Sequence, residues 1–76
     1  PTLHAPETAE SEFLARAVAD LPADQRQVLV LSVYDDMGFK EISDALGEPY
    51  HTVVSRYRYA LEKIRRQYKE TFRHES

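Results

Sequence analysis

The architecture of this 76-residue chain follows from one stretch, Gly47-Glu48-Pro49-Tyr50-His51-Thr52-Val53-Val54-Ser55-Arg56. A short amphipathic pattern ends just before this stretch, and a second, basic pattern begins within it. A helix, a tight turn that contains glycine and a second helix are the parts of a helix-turn-helix motif. The stretch therefore predicts an all-α domain with a helix-turn-helix motif, and it indicates double-stranded DNA as the partner.

The first helix of the domain is predicted to begin at the N-cap Thr8 and to end near Asp20. Residues 1–7 carry two prolines and no hydrophobic periodicity, which is typical of a flexible lead-in or the end of a linker. We therefore expect the helix-turn-helix domain over residues 8–72, with a frayed tail at 73–76.

The second helix is predicted to be the most buried, because it carries the dense apolar run 28–31. Pro22 suits its first position, and the helix is expected to end at the turn cluster Asp35-Asp36-Met37-Gly38, in which glycine breaks the pattern. The β-branched residues within 28–34 would also suit a β-strand, but the chain offers no second strand to pair with it. The helix is the better interpretation.

The third helix is predicted over residues 39–46, with Gly47 as a left-handed C-cap, and the fourth begins within a residue of Tyr50 after Pro49. At about 100° per residue, the fourth helix has one apolar face and one polar face. The predicted core face holds Val53, Tyr57, Ala60 and Ile64. The polar face holds His51, Ser55, Arg58, Tyr59 and Glu62, with Thr52 and Arg66 at its margin.

Charge is polarised along the chain. Residues 1–48 hold ten acidic and three basic residues, whereas residues 49–76 hold seven basic and three acidic ones. The two parts therefore carry −7 and +4, although the whole chain is acidic at −3. Basic residues late in a helix also complement its dipole, but a basic last helix is what phosphate binding requires.

The fourth helix carries residue types suited to DNA. A helix in the major groove reads bases from its N-terminal turns, while its neighbours contact phosphates. Arginine can bind guanine through two hydrogen bonds, serine can bond several bases, and an aromatic ring can contact a thymine methyl. The predicted base-reading residues are Ser55, Arg58, Tyr59 and His51. The predicted phosphate-binding residues are Lys40, Thr52 and Arg56. Each of these residues also has a plainer interpretation. Arg56 and Arg58 could be solvated charges, and Thr52 could be a helix cap. Tyr57 and Tyr59 could serve in aromatic packing, which is the better interpretation for Tyr57.

The sequence argues against catalysis. A chain of this size is too short for a deep cleft of its own, and no nucleophile with a neighbouring base or phosphate-binding glycine loop is present. There is no cysteine, and the three histidines lack metal-ligand spacing, so no metal or other cofactor is expected. No apolar run approaches the roughly 18 residues of a membrane span, and the first residues do not have the pattern of a signal peptide.

Three segments together resemble domain four of the sigma-70 family, and within it the extracytoplasmic-function group. They are Leu21-Pro22-Ala23-Asp24-Gln25-Arg26-Gln27-Val28-Leu29, Phe39-Lys40-Glu41-Ile42-Ser43 and Leu46 to Arg56. The resemblance covers about residues 20–66. It implies a bacterial cytoplasmic promoter-binding domain that recognises the minus thirty-five element and docks on the β-subunit flap of RNA polymerase. An anti-sigma protein is a further partner that it implies.

The chain departs from the family pattern at three positions. Val54 stands where the family often has Lys or Arg, His51 where glycine is common, and Gly38 where Ser or Thr is usual. The missing basic residue at position 54 predicts one phosphate or base contact fewer, and a salt dependence flatter by about one unit.

Two alternative functions remain open at the level of the sequence. A sigma-like interaction module could bind polymerase or an anti-sigma regulator without binding DNA, and the acidic balance favours that interpretation. The DNA-binding domain of LuxR-type response regulators also has four helices, but the Leu-Pro opening and the Ser-Arg-Tyr-Arg segment fit it less well.

Overall fold

The computed structural model describes residues 8–73, which form four helices and, within that range, no strand. The helices are α1 (Ala9–Ala19), α2 (Ala23–Val33), α3 (Phe39–Leu46) and α4 (Tyr50–Phe72). The predicted all-α class is confirmed, and the stretch that could have been a strand lies mostly in α2. The predicted lead-in and the last three residues of the predicted tail lie outside the described range.

Local hydrogen bonds set the ends of α1. The Thr8 hydroxyl accepts from the Ser11 N–H at 3.0 Å, and the Ser11 hydroxyl accepts from the Thr8 N–H at 3.3 Å, which makes a reciprocal cap. At the other end, Arg26 Nη1 donates to the carbonyls of Ala19 and Leu21, both at 2.9 Å. Arg26 therefore satisfies the Ala19 carbonyl, which the end of α1 leaves without a helical partner, and the Leu21 carbonyl in the connection that follows.

The connection between α2 and α3 contains the predicted turn cluster, residues 35–38. Helix α2 stops at Val33, and the left-handed residue in the turn is Asp36, with φ of 56°. Gly38 has an ordinary φ of −74° and is the N-cap of α3, where its N–H donates to Glu41 Oε1 at 2.8 Å. Pro22 is the N-cap of α2, one position before the first helical position that the sequence predicted for it. Short polar side chains such as aspartate tolerate the left-handed region, so glycine is not required there.

Helix α4 is the element on which the other three pack. Two buried clusters form the core. Leu21, Leu29 and Ala60 make the first, and Val28, Ile42 and Val53 make the second. Tyr57 packs against both clusters and joins them. Helix α4 therefore has two roles, since one of its faces completes the core and the other carries the polar residues of the motif.

Aromatic side chains join α1 to the C-terminal end of α4. The Phe13 ring lies edge-on to the rings of Tyr68 and Phe72, with centroid distances of 5.7 and 5.8 Å. The Tyr68 hydroxyl donates to Glu10 Oε2 at 2.6 Å. These contacts hold the two helices together at the end of α4 opposite the helix-turn-helix turn.

The turn between α3 and α4 needs a left-handed residue at Gly47, whose φ is 68°. Its N–H donates to the carbonyl of Ser43, which also accepts from the N–H of Glu48 at 3.1 Å. The Ser43 hydroxyl closes the turn by donating to the Glu48 carbonyl. The predicted glycine C-cap is present, and the hydrogen bonds of Ser43 fix the direction in which the chain enters α4.

Replacing Gly47 by alanine should lower the free energy of unfolding by about 1–2 kcal/mol, the penalty of a left-handed L-residue. A Cβ at this position would have no atom within 4 Å, so the loss would come from the backbone conformation and not from a clash. Urea denaturation followed by circular dichroism measures it. Gly47→Asn should lose less, because asparagine tolerates this conformation. Equal losses for both variants would contradict this explanation.

Candidate DNA-binding surface

The outer face of α4 presents three of the four predicted base-reading side chains to solvent. His51, Arg58 and Tyr59 are exposed, and 55% of the Tyr59 surface remains accessible. Ser55, the fourth, is half-buried on the same helix. Their spacing along α4 places them within its N-terminal half, which is the part of a recognition helix that reaches base edges.

The opposite face of α4 is buried against the other helices. Val53 and Ala60 are fully buried, and Tyr57 and Ile64 are partly buried against the core clusters. The Tyr57 ring also lies edge-on to Phe39, with a centroid distance of 5.0 Å. This packing holds the polar face of α4 outward, because a rotation of the helix would expose Val53 and Ala60.

The first turn of α4 has unsatisfied N–H groups of the kind that bind phosphate. The Pro49 carbonyl accepts from Thr52 and Val53 at 3.0 and 3.1 Å. The N–H groups of Tyr50 and His51 come too early in the helix for internal partners. Thr52 is half-buried there, and Lys40 is exposed in the first turn of α3. A helix N-terminus of this kind suits an anion, since its dipole favours negative charge.

Arg56 is engaged by two carboxylates. Its Nε lies 3.4 Å from Asp24 Oδ2, and its Nη1 lies 3.6 Å from Glu48 Oε2. Only 25% of its side chain is exposed. The predicted phosphate contact of Arg56 therefore has competitors within the protein, and Asp24 and Glu48 are members of the site that the sequence-based prediction missed.

Tyr50 is a further residue that the sequence-based prediction did not include in the site. It is the first residue of α4 and is 55% exposed, with its ring edge-on to Phe39 at 6.5 Å. The signal was present in the sequence, as an aromatic residue directly after the proline of the turn. The sequence-based prediction assigns Tyr50 only to the start of the helix.

Between residues 8 and 73, no cluster of three or more His, Asp and Glu side chains is arranged to hold a metal ion. Over the same range, no helix is both long enough and apolar enough to cross a membrane.

A tight turn with a left-handed glycine and a long last helix with a basic outer face define a helix-turn-helix DNA-binding domain. The chain belongs to the sigma-70 region 4 family, since it matches the family described as "Sigma-70, region 4" over residues 12–64. This family is one of transcription-regulating domains, and membership favours the sigma class over the LuxR-type alternative.

The chain is similar to the ECF RNA polymerase sigma factor RpoE of Cereibacter sphaeroides, with 36% identity over 56 residues. The matched segment covers 74% of this chain and 31% of the relative. The chain therefore spans about a third of the length of the curated relative that it matches.

Proposed function

We propose that this chain is the promoter-recognition domain of an extracytoplasmic-function sigma factor, and that α4 binds the minus thirty-five element in the major groove. The observation that carries the proposal is the exposed polar face of α4, with His51, Arg58 and Tyr59 outward while Val53 and Ala60 close the core beneath them. The family match and the sigma-factor relative support the same function.

The distribution of charge supports a DNA partner despite the acidic total. Residues 49–76 carry seven basic and three acidic residues, and α4 contains most of that segment. A set of exposed basic residues follows the outer and C-terminal parts of the helix, namely Arg58, Arg65, Arg66 and Lys69. Neutralising phosphates with such residues supplies the sequence-independent part of DNA affinity.

Within this proposal the side chains divide into two groups. Arg58, Tyr59, His51 and Ser55 contact base edges, because they lie on the outer face of the N-terminal half of α4. Lys40 and Thr52 contact phosphates beside the free N–H groups of the helix start. Phosphate contacts set the register of the helix, and base contacts supply the sequence preference.

The proposal extends to RNA polymerase. Three exposed apolar side chains belong to parts of the chain outside α4, namely Leu14 on α1, Val33 at the end of α2 and Tyr34 just after it, with exposures of 48%, 55% and 72%. Exposed apolar residues outside the DNA-binding face suit a protein partner. We propose docking on the β flap of the polymerase core in the bacterial cytoplasm, with an anti-sigma protein as a competing partner.

A fluorescence-anisotropy titration tests DNA binding by the 76-residue chain. The probe is a fluorescein-labelled duplex selected from a random-sequence library by the same chain. We expect binding that weakens as salt rises, with a slope of about 0.9 per phosphate contacted. Binding that does not depend on salt, or absence of binding even in the full-length factor with polymerase, would contradict the proposal.

The second candidate function is a sigma-like interaction module without DNA binding. The engagement of Arg56 by two carboxylates favours it, as does the exposed apolar set of Leu14, Val33 and Tyr34. Co-purification of polymerase or a regulator that survives Arg58→Ala, together with no protection of DNA in footprinting, would support this function over the first.

A further inference from the structure

We propose that Asp24 and Glu48 limit the affinity of α4 for DNA by holding Arg56 away from the phosphate backbone. The inference rests on the proposed DNA binding and adds a determinant of its strength. The three residues come from the start of α2, the turn and α4, and their charged groups meet at 3.4 and 3.6 Å.

The Asp24 carboxylate and the backbone of Glu48 are held in place independently of Arg56. Asp24 lies in the first turn of α2, where the helix dipole favours a negative charge, and its Oδ1 accepts from the Gln25 N–H at 2.8 Å. The backbone N–H and carbonyl of Glu48 are both hydrogen-bonded to Ser43. The Asp24 carboxylate is therefore positioned without Arg56, and the turn fixes the backbone from which the Glu48 side chain reaches the arginine.

The group carries a net negative charge, because one guanidinium faces two carboxylates. The side chain of Arg56 is 25% exposed, whereas those of Asp24 and Glu48 are 54% and 38% exposed. The carboxylates are therefore more accessible than the arginine to a phosphate that approaches this part of α4. Two of the three guanidinium nitrogens, Nε and Nη1, already face carboxylates, so a phosphate has to compete with Asp24 and Glu48 for Arg56.

The carboxylates weaken DNA binding without preventing it. Exposed and partly exposed ion pairs contribute little free energy and are screened by salt, so a phosphate can compete for the arginine. When a phosphate binds Arg56 in place of the carboxylates, a condensed counterion is released from the DNA. As long as the carboxylates hold Arg56, that release does not contribute to affinity.

The test is a comparison of salt dependence in four forms of the 76-residue chain. They are the unmodified chain, Asp24→Asn with Glu48→Gln, Arg56→Ala, and all three substitutions together. The probe is the library-selected duplex used in the anisotropy titration. We expect the Asp24→Asn, Glu48→Gln form to bind several-fold more tightly at low salt, with a slope steeper by about 0.9, which corresponds to one added phosphate.

The Arg56→Ala background separates release of the arginine from a general change of charge. In that background the two carboxylate substitutions should leave the slope unchanged, because there is no arginine to release. A matched control, Glu12→Gln on α1 with Asp20→Asn at the C-cap of α1, makes the same change in charge at exposed positions and should also leave the slope unchanged. Circular dichroism and urea denaturation check that every form folds.

The outcomes distinguish this inference from the proposed function. If the unmodified chain binds DNA and the Asp24→Asn, Glu48→Gln form has the same slope, the inference is wrong and the DNA-binding function stands. Equal increases in slope with and without Arg56 would also overturn it. If no form binds DNA, even within the full-length factor with polymerase, both fail together. Binding that becomes measurable only after the two carboxylate substitutions would support both.

Discussion

Ile42→Ala is expected to lower the free energy of unfolding by about 2–5 kcal/mol, the usual cost of truncating a large buried side chain to alanine. Ile42 is fully buried and packs with Val28 and Val53, so the substitution leaves a cavity between α2, α3 and α4. A small domain has little stability to lose, since about 5–15 kcal/mol is typical of native proteins. Urea denaturation followed by circular dichroism measures the loss.

Ile42→Val is the matched control for this prediction. It removes one methylene from the same position and should cost about 0.5–1.5 kcal/mol. A loss below about 1 kcal/mol for the alanine variant would fall outside the range for such truncations. It would mean that the contacts of α3 with Val28 and Val53 contribute little to holding the helix-turn-helix motif in place.

Arg58→Ala is expected to weaken binding to the selected duplex by about 1–3 kcal/mol, the range for a side chain that makes two hydrogen bonds to a base. In dissociation constants this is a loss of roughly 5-fold to 150-fold. Arg58 is exposed on the outer face of α4, so its removal should leave the stability of the domain nearly unchanged. Anisotropy titration at constant salt gives the change in affinity.

Arg16→Ala is the control for the loss of charge. Arg16 is an exposed arginine on α1 that lines the groove beside the C-terminal end of α4. Its removal changes the net charge equally but should alter binding much less. Equal losses for the two variants would mean that Arg58 acts only through its charge. A base contact also requires that Arg58→Ala lose more on the selected duplex than on a scrambled one.

Helix positions were predictable because their signals are local. The reciprocal cap at Thr8, the helix over Phe39–Leu46, the left-handed Gly47 and the start of α4 after Pro49 all depend on a few neighbouring residues. The turn after α2 was predicted over residues 35–38, and the structure adds that Asp36 is its left-handed residue and that Gly38 is the N-cap of α3. Aspartate and glycine both tolerate the left-handed conformation, and the path of the chain between α2 and α3 decides which of them adopts it.

The candidate site was predictable only in part. Periodicity along α4 separates a polar face from the apolar face that holds Val53 and Ala60, because an isolated helix already has these two faces. Exposure agrees with that separation for His51, Arg58 and Tyr59. The proposed roles of these side chains in DNA binding remain predictions for the titrations described above.

The sequence by itself determined the order of the helices, the turn at Gly47, the faces of α4 and the family of the domain, since each depends on residue types at fixed local spacing. Only the tertiary structure decided the surroundings of Arg56. Asp24 is far from Arg56 along the chain and Glu48 lies in the turn before α4, and their distances to Arg56 depend on how α2 and the turn pack against α4. A basic residue within a binding motif appears in the sequence as a charge, but its neighbours in the fold decide whether that charge is available to DNA.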